Sequence, residues 1–194
     1  MRKLELDNKY EAVVIGASVG GIEALRVIFA FLPAAFKQTI IVVLHLSPQS
    51  SGLAQILSRK FRMIIKEAEE KEKIKGGVVY TAPPNYHLMI EDDKTFSLSV
   101  SEQVNYARPS IDVLFETAAD VYRESLIGII LTGGNKDGSQ GLKKIKELGG
   151  LAIVQDPDTA EGDSMPRNAI AVSEVDHILT LDKIGLLLSG WLRQ

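Results

Sequence analysis

A serine, a histidine and an aspartate stand out in this chain because each falls where a run of apolar residues gives way to a turn. Ser18 lies in "GASVGG" (16–21), His45 near the end of "TIIVVLHL" (39–46), and Asp137 in the glycine-rich "LTGGNKDGS" (131–139). These are the residue types of a nucleophile, its general base and the acid that orients the base. An unassisted serine hydroxyl is a poor nucleophile at neutral pH, so Ser18 needs an imidazole within reach to take its proton, and His45 is the natural candidate. Asp137 then fixes the tautomer of that ring and stabilises its cation. The glycines around Ser18 permit a tight turn, and N–H groups at the start of the following helix are available to an oxyanion.

Each residue also has a purely structural reading. "GASVG" satisfies the G-x-S-x-G elbow pattern, but the same turn serves close helix–strand packing with Ser18 as a helix cap. As a phosphate cradle it is poorer: Ser18 stands where G-x-G-x-x-G requires its second glycine, and no P-loop lysine follows. His45 could be a buried histidine held by a backbone partner, and Asp137 a turn or N-cap residue before "GSQGLKKIKELG" (138–149). His87, in "PPNYHLMI", is a competing base, whereas His177, in "EVDHILTL", starts a late strand and reads as structural. Metal binding has little support, because neither H-E-x-x-H, paired histidines nor EF-hand spacing occurs. Glu67, Glu69, Glu70 and Glu72 alternate with lysines as on a solvated face.

The surrounding pattern supplies the elements that must position these groups. "EAVVIG" (11–16) and "TIIVVLHL" (39–46) read as buried parallel strands, unbroken in their apolar character. Helical spacing follows at 20–32, closed by Pro33, and at 52–62. From about 65 to 108 the runs "GGVVYTA", "YHLMI" and "FSLSV" alternate with turn signals, predicting an antiparallel insert at a sheet edge. A helix over 108–122 with Pro109 near its first turn, a strand at 126–133, a helix at 138–149 stopped by Gly149 and Gly150, and a strand at 151–156 complete the series. The stretch 157–168 reads as a long polar loop. Alternation of this kind predicts an α/β fold, a doubly wound, mostly parallel sheet flanked by helices with an antiparallel hairpin insert. In such sheets ligands sit beyond the carboxyl ends of the strands, where Ser18, His45 and Asp137 fall.

Composition narrows the function classes. At 194 residues the chain reads as a single domain, and 45% hydrophobic with 24% charged residues predicts a packed core. The net charge of −3, without a lysine or arginine cluster, argues against nucleic acid as a partner. The absence of cysteine removes disulfides, thiolate metal sites and cysteine nucleophiles. The charged N-terminus "MRKLELDNKYE" does not resemble a signal peptide, and the apolar runs stop short of the roughly 18 residues of a membrane span, which points to the cytoplasm.

Six segments, "VIGASVGGIEAL", "VVLHLSPQSSGLAQIL", "VYTAPPNYHLMI", "RPSIDVLFETAADVY", "GIILTGGNKDGSQGLKKIKELGG" and "AIVQDPDTAEGDSMPRNAI", resemble in order the catalytic domain of the bacterial chemotaxis protein-glutamate methylesterases of the CheB type, over about residues 11–190. The resemblance implies a triad of Ser18, His45 and Asp137 that hydrolyses glutamyl methyl esters on the cytoplasmic helices of chemoreceptors, releasing methanol through an acyl-enzyme. No cofactor is implied. Deamidation of protein glutamine differs only in the leaving group. Oxyanion contacts are expected from the backbone of Val19 and Gly134, and cleft contacts from Met165 and from Arg108, which opens the helix-start motif "RPSID" and has an equal reading as a structural residue there. The chain departs from the family in Val19, where threonine is common, and in "GGNKDG" for "GMGxDG", which puts Gly134 at the methionine position. The familiar enzymes also carry an N-terminal receiver domain, which these 194 residues do not contain, so either this is a piece of a longer protein or it is a stand-alone esterase whose phosphorylation control is expected from a separate receiver protein if at all. A non-catalytic module that binds receptor helices or other partners is the reading of a different class, and nucleotide binding comes third.

Overall fold

The computed structural model describes residues 9–46 and 52–192, with side chains through 190. The charged N-terminal segment and the "SPQSS" part of the second segment quoted above lie outside the described residues.

A strand forms at Ala12–Ala17 (β1) because its six residues are buried on both faces: Val13, Ile15 and Ala17 point into one apolar layer, Ala12 and Val14 into the other. Helix α1 (Gly21–Phe29) follows, burying Ala24, Leu25, Ile28 and Phe29 along one stripe. The expected extension to residue 32 is a tightened last turn, in which Phe31 and Leu32 donate to carbonyls three residues back before Pro33 stops the chain. Strand β2 (Thr39–Leu44), helix α2 (Leu53–Ser58), strands β3 (Ile64–Glu67), β4 (Val78–Thr81), β5 (His87–Ile90) and β6 (Phe96–Ser99), and helix α3 (Ile111–Tyr122) come next. Strand β7 (Leu126–Ile130), helix α4 (Ser139–Glu147), strand β8 (Leu151–Gln155), helix α5 (Ser164–Val172), strand β9 (His177–Leu179) and helix α6 (Leu181–Leu192) complete the chain.

Seven strands form one wholly parallel sheet in the order β3-β4-β2-β1-β7-β8-β9. Side chains of α1, α2 and α6 join the apolar layer on one face, and those of α3, α4 and α5 the layer on the other, which also takes Leu88, Ile90 and Phe96 from the antiparallel pair β5-β6. The fold is therefore the doubly wound sheet that the sequence predicts, with one correction. "VVYT" of β4 does not belong to the antiparallel insert: it pairs in parallel between β2 and β3, and the insert is the β5-β6 hairpin alone. The stretch 157–168, read as loop, carries a 3₁₀ turn at Pro157–Thr159 and the start of α5. From β1 the chain winds first toward β2 and later returns to add β7 on the opposite side, so the topological switch lies between β1 and β7.

Candidate functional site

At the carboxyl end of β1 the chain turns sharply. Ser18 donates its N–H to Thr132 O at 2.9 Å, Gly21 N returns to Ser18 O at 2.9 Å, and Gly20 adopts φ 73°, a conformation that glycine enters without penalty. Helix α1 receives no side-chain cap, so Ser18 is not spent as one. Among the described residues its hydroxyl makes no hydrogen bond. It lines a cavity of about 390 Å³ together with Val19, Gly20, Gly21, Arg26, His45 and other residues. Thr132, just past β7, ties the turn from behind: its hydroxyl donates to Val19 O at 2.9 Å and accepts from Gly162 N at 2.8 Å. Val19 N and Gly134 N make no hydrogen bond among the described residues, and neither is committed elsewhere in the turn.

His45 follows β2, which runs beside β1, and this adjacency brings it to Ser18's cavity. Its Nε2 meets Asp137 Oδ2 at 2.9 Å, with the aspartate side chain fully buried and the imidazole 14% exposed. With Nε2 as the donor, Nδ1 is the nitrogen left with a lone pair.

Asp137 is held by more than the histidine. Oδ2 also accepts from Ile111 N at 2.7 Å, and Oδ1 accepts from Ser110 Oγ at 2.8 Å, Asp112 N at 3.2 Å and Asn105 Nδ2 at 3.2 Å. The expected capping role is thus realised on a different helix. Asp137 does not cap α4, whose N-cap is Gly138, but sits at the amino end of α3, where free N–H groups and the helix dipole favour an anion. Burial alone would raise its pKa; the bonds from His45, Ile111 and Ser110 and the attraction of the His45 charge outweigh that and hold it below the usual carboxylate value.

Asp112, Ser110, Asn105 and His87 form the surrounding shell, which the sequence did not single out for this role. Asn105 Nδ2 bridges Asp112 Oδ2, at 2.9 Å, and Asp137 Oδ1. Asp112 Oδ1 accepts from Gly141 N at 2.7 Å; burial above all, and then the nearby Asp137 and Glu116 charges, raise its pKa to about 6 against the pull of those two bonds. His87, read as a competing base, is buried, with Nδ1 accepting from Ser110 N at 3.1 Å and Nε2 bonded to Glu102 O at 2.9 Å. Both its nitrogens are used, and it faces the structural framework rather than the cavity. The N-cap signal of "PSID" could have pointed to Ser110.

Arg108 lines a second cavity of about 210 Å³ that shares His45 and Leu46 with the first, while its Nη1 donates to the Val100 and Ser101 carbonyls at 2.7 and 2.9 Å. Met165, expected at the cleft, is fully buried: its thioether packs under Gly133, so it supports the turn from below and offers no surface to a ligand. Gly134, at the methionine position, borders open space: a Cβ there would meet no atom within 4 Å. His177 takes part in β9. No group of three or more His, Asp or Glu side chains among the described residues is gathered closely enough to hold a metal ion, and no described helix is long and apolar enough to cross a membrane.

A parallel α/β sheet that gathers, at the carboxyl ends of its strands, a serine and a histidine bonded to a buried aspartate has the make-up of a hydrolase. The comparisons with known proteins agree. The CheB methylesterase family model matches residues 13–188, and the chain belongs to that family. It is 60% identical over 179 residues to a Leptospira interrogans protein named "Putative protein-glutamate methylesterase/protein-glutamine glutaminase", covering 92% of this chain and 93% of that one. To the Thermotoga maritima protein-glutamate methylesterase/protein-glutamine glutaminase it is 38% identical over 176 residues, 89% of this chain but 51% of that protein, so this chain spans about half of its length. The crystal structure of the T. maritima CheB methylesterase catalytic domain superposes with a TM-score of 0.88 at 37% identity, covering 93% of this chain and 97% of that one.

Proposed function

We propose that this chain hydrolyses γ-glutamyl methyl esters on proteins through an acyl-enzyme on Ser18, with the cytoplasmic helices of methylated chemoreceptors as the substrate class. The observation that carries the reading is the His45–Asp137 bond of 2.9 Å, made by a wholly buried carboxylate, beside a cavity that Ser18 and His45 line together. Ser18 Oγ attacks the ester carbonyl as His45 Nδ1 takes its proton. Asp137, kept ionised by the amino end of α3, stabilises the imidazolium. The N–H groups of Val19 and Gly134 receive the oxyanion, a contribution on the order of 10²–10³ in rate for each such donor.

Collapse of the tetrahedral adduct breaks the bond to the methoxy group, which leaves as methanol with the proton from His45. Water then attacks the γ-glutamyl–Ser18 ester, giving its proton to His45, and the second collapse frees a glutamate carboxylate and restores the Ser18 hydroxyl. A protein glutamine would follow the same course with ammonia leaving, and the names of the relatives support that second substrate.

The test is intact-mass spectrometry after exposure to a small serine-directed phosphonylating probe, paired with methanol release from methylated chemoreceptor. One phosphonyl adduct and methanol release from the wild type, both lost in Ser18→Ala with the fold intact, are the expected results. A wild-type protein that binds the receptor yet neither labels nor releases methanol supports the non-catalytic module instead.

A further inference from the structure

Beside the cleft the chain spends conformational energy on a residue that the chemistry above does not use. Val104 and Ala107 exchange backbone hydrogen bonds at 3.1 and 2.9 Å, closing a turn whose two central residues, Asn105 and Tyr106, have φ 50° and 63°. Asparagine enters the left-handed region readily, and glycine is the usual second residue of such a turn; a tyrosine there is strained. The strain is held in place because the Asn105 side chain is anchored on Asp112 and Asp137. The product is a phenol ring that is 97% exposed, on a residue lining the same cavity as His45.

The ring does not stand alone. Val104 in the same turn is exposed, as is Val100, whose carbonyl is held by the cleft residue Arg108. Tyr86 is exposed next to Asn85, another lining residue at positive φ, and Val19 is exposed beside Ser18. A small ester needs only the cavity that Ser18, Val19 and His45 line, and Tyr106, Tyr86, Val100 and Val104 are not among its lining residues. A polypeptide bearing the ester also covers surface outside that cavity.

We propose that Tyr106 is a specificity-determining residue that seats the polypeptide bearing the ester, packing its ring against apolar side chains next to the modified glutamate. The proposal rests on the methylesterase reading and adds to it the part of the surface that selects a protein over a small ester. An aromatic ring on a pre-set turn gives up little freedom on contact, the usual reason for aromatic anchors at interfaces.

The experiment compares wild type, Tyr106→Ala and Tyr106→Phe on two substrates, p-nitrophenyl acetate and a methylated chemoreceptor cytoplasmic fragment. Expected for Tyr106→Ala is an unchanged rate on the small ester and a rise of about tenfold in KM for the protein, with kcat kept. Tyr106→Phe, which keeps the ring, restores the wild-type KM. Equal rates of wild type and Tyr106→Ala on the protein overturn the proposal and leave the methylesterase reading intact. An equal fall on both substrates also overturns it, because it assigns Tyr106 to the reaction centre or the fold. A wild type inert toward both substrates overturns the methylesterase reading and the proposal with it.

Discussion

The Ser110 hydroxyl donates to Asp137 at 2.8 Å while accepting from Val113 N at 3.4 Å, so the residue that starts α3 also orients the carboxylate that orients His45. The helix end and the site therefore share one hydroxyl. Replacing Ser110 by alanine removes the cap, at about 1 kcal/mol, and lowers the melting temperature by a few degrees, read by thermal denaturation. Esterase activity falls with it. Threonine at this position restores both, since its hydroxyl keeps the two bonds.

Asp137→Asn tests the carboxylate. An amide turns its donor group toward the N–H of either Ile111 or Asp112, which bond different carboxylate oxygens, and leaves buried donors unmatched at a cost of about 1–3 kcal/mol. Its loss of charge also removes the partner that favours the imidazolium. The expected fall in kcat is on the order of 10³–10⁴, with the stability change followed separately by urea denaturation.

The pH dependence of stability separates the two buried carboxylates. Asp112 titrates higher in the folded protein, at about 6, than the ordinary carboxylate value of 3.8. Between those values the folded state binds the extra proton, so this group's contribution to stability decreases as pH rises through that window and stays low above it. Asp137 has the opposite sign: its folded pKa lies below the ordinary value, so its contribution is present above 3.8 and is lost as pH falls through the folded value. Denaturation measured from pH 2 to 8 therefore loses part of its decline across pH 4–6 in Asp112→Asn, while the acid limb below pH 4 remains.

Two glycines should respond in opposite directions to alanine. A Cβ on Gly141 would stand 2.4 Å from Phe115 Cβ, an atom fixed to its backbone, so the α3–α4 contact must open. Overpacking of about 1–3 kcal/mol outweighs the ~1 kcal/mol that alanine gains in helix propensity, and the protein is destabilised. Gly134 borders open space and has no positive φ, so Gly134→Ala is neutral to stabilising by about 0.4–1 kcal/mol through the unfolded chain. Chemical denaturation of both variants checks the pair.

Much of this arrangement was legible because the strongest patterns are local. The unbroken apolar runs of β1 and β2 and the glycine turns after β1 and β7 declared strand ends, and strand ends placed Ser18, His45 and Asp137. Strand β4 departs from the expected hairpin for a physical reason. A four-residue run bounded by Gly76-Gly77 and Pro83-Pro84 looks the same in a hairpin or a buried parallel strand, and only its pairing with Ile40, Ile41 and Val42 decides. Helix α5 was hidden by the polar residues and Pro166 of its first turns. Asn105 and Asp112 carry no local signal, because what defines them is a carboxylate far along the chain, and sequence does not tell which side of a turn the Met165 thioether occupies.

Strand β1 pairs with β2 on one side and with β7 on the other, Ala12 facing both Thr39 and Leu126. Long-range parallel pairing of this kind is slow to form. A chain emerging from the ribosome keeps the middle of its sheet bare on one edge until β7 has been made, and during that interval the bare edge is open to wrong partners. Asp137 arrives still later, with the turn after β7. The same connectivity leaves an amino-terminal fragment that ends before β7 with Ser18 and His45 at the ends of paired strands but without the Asp137 carboxylate that holds the imidazole.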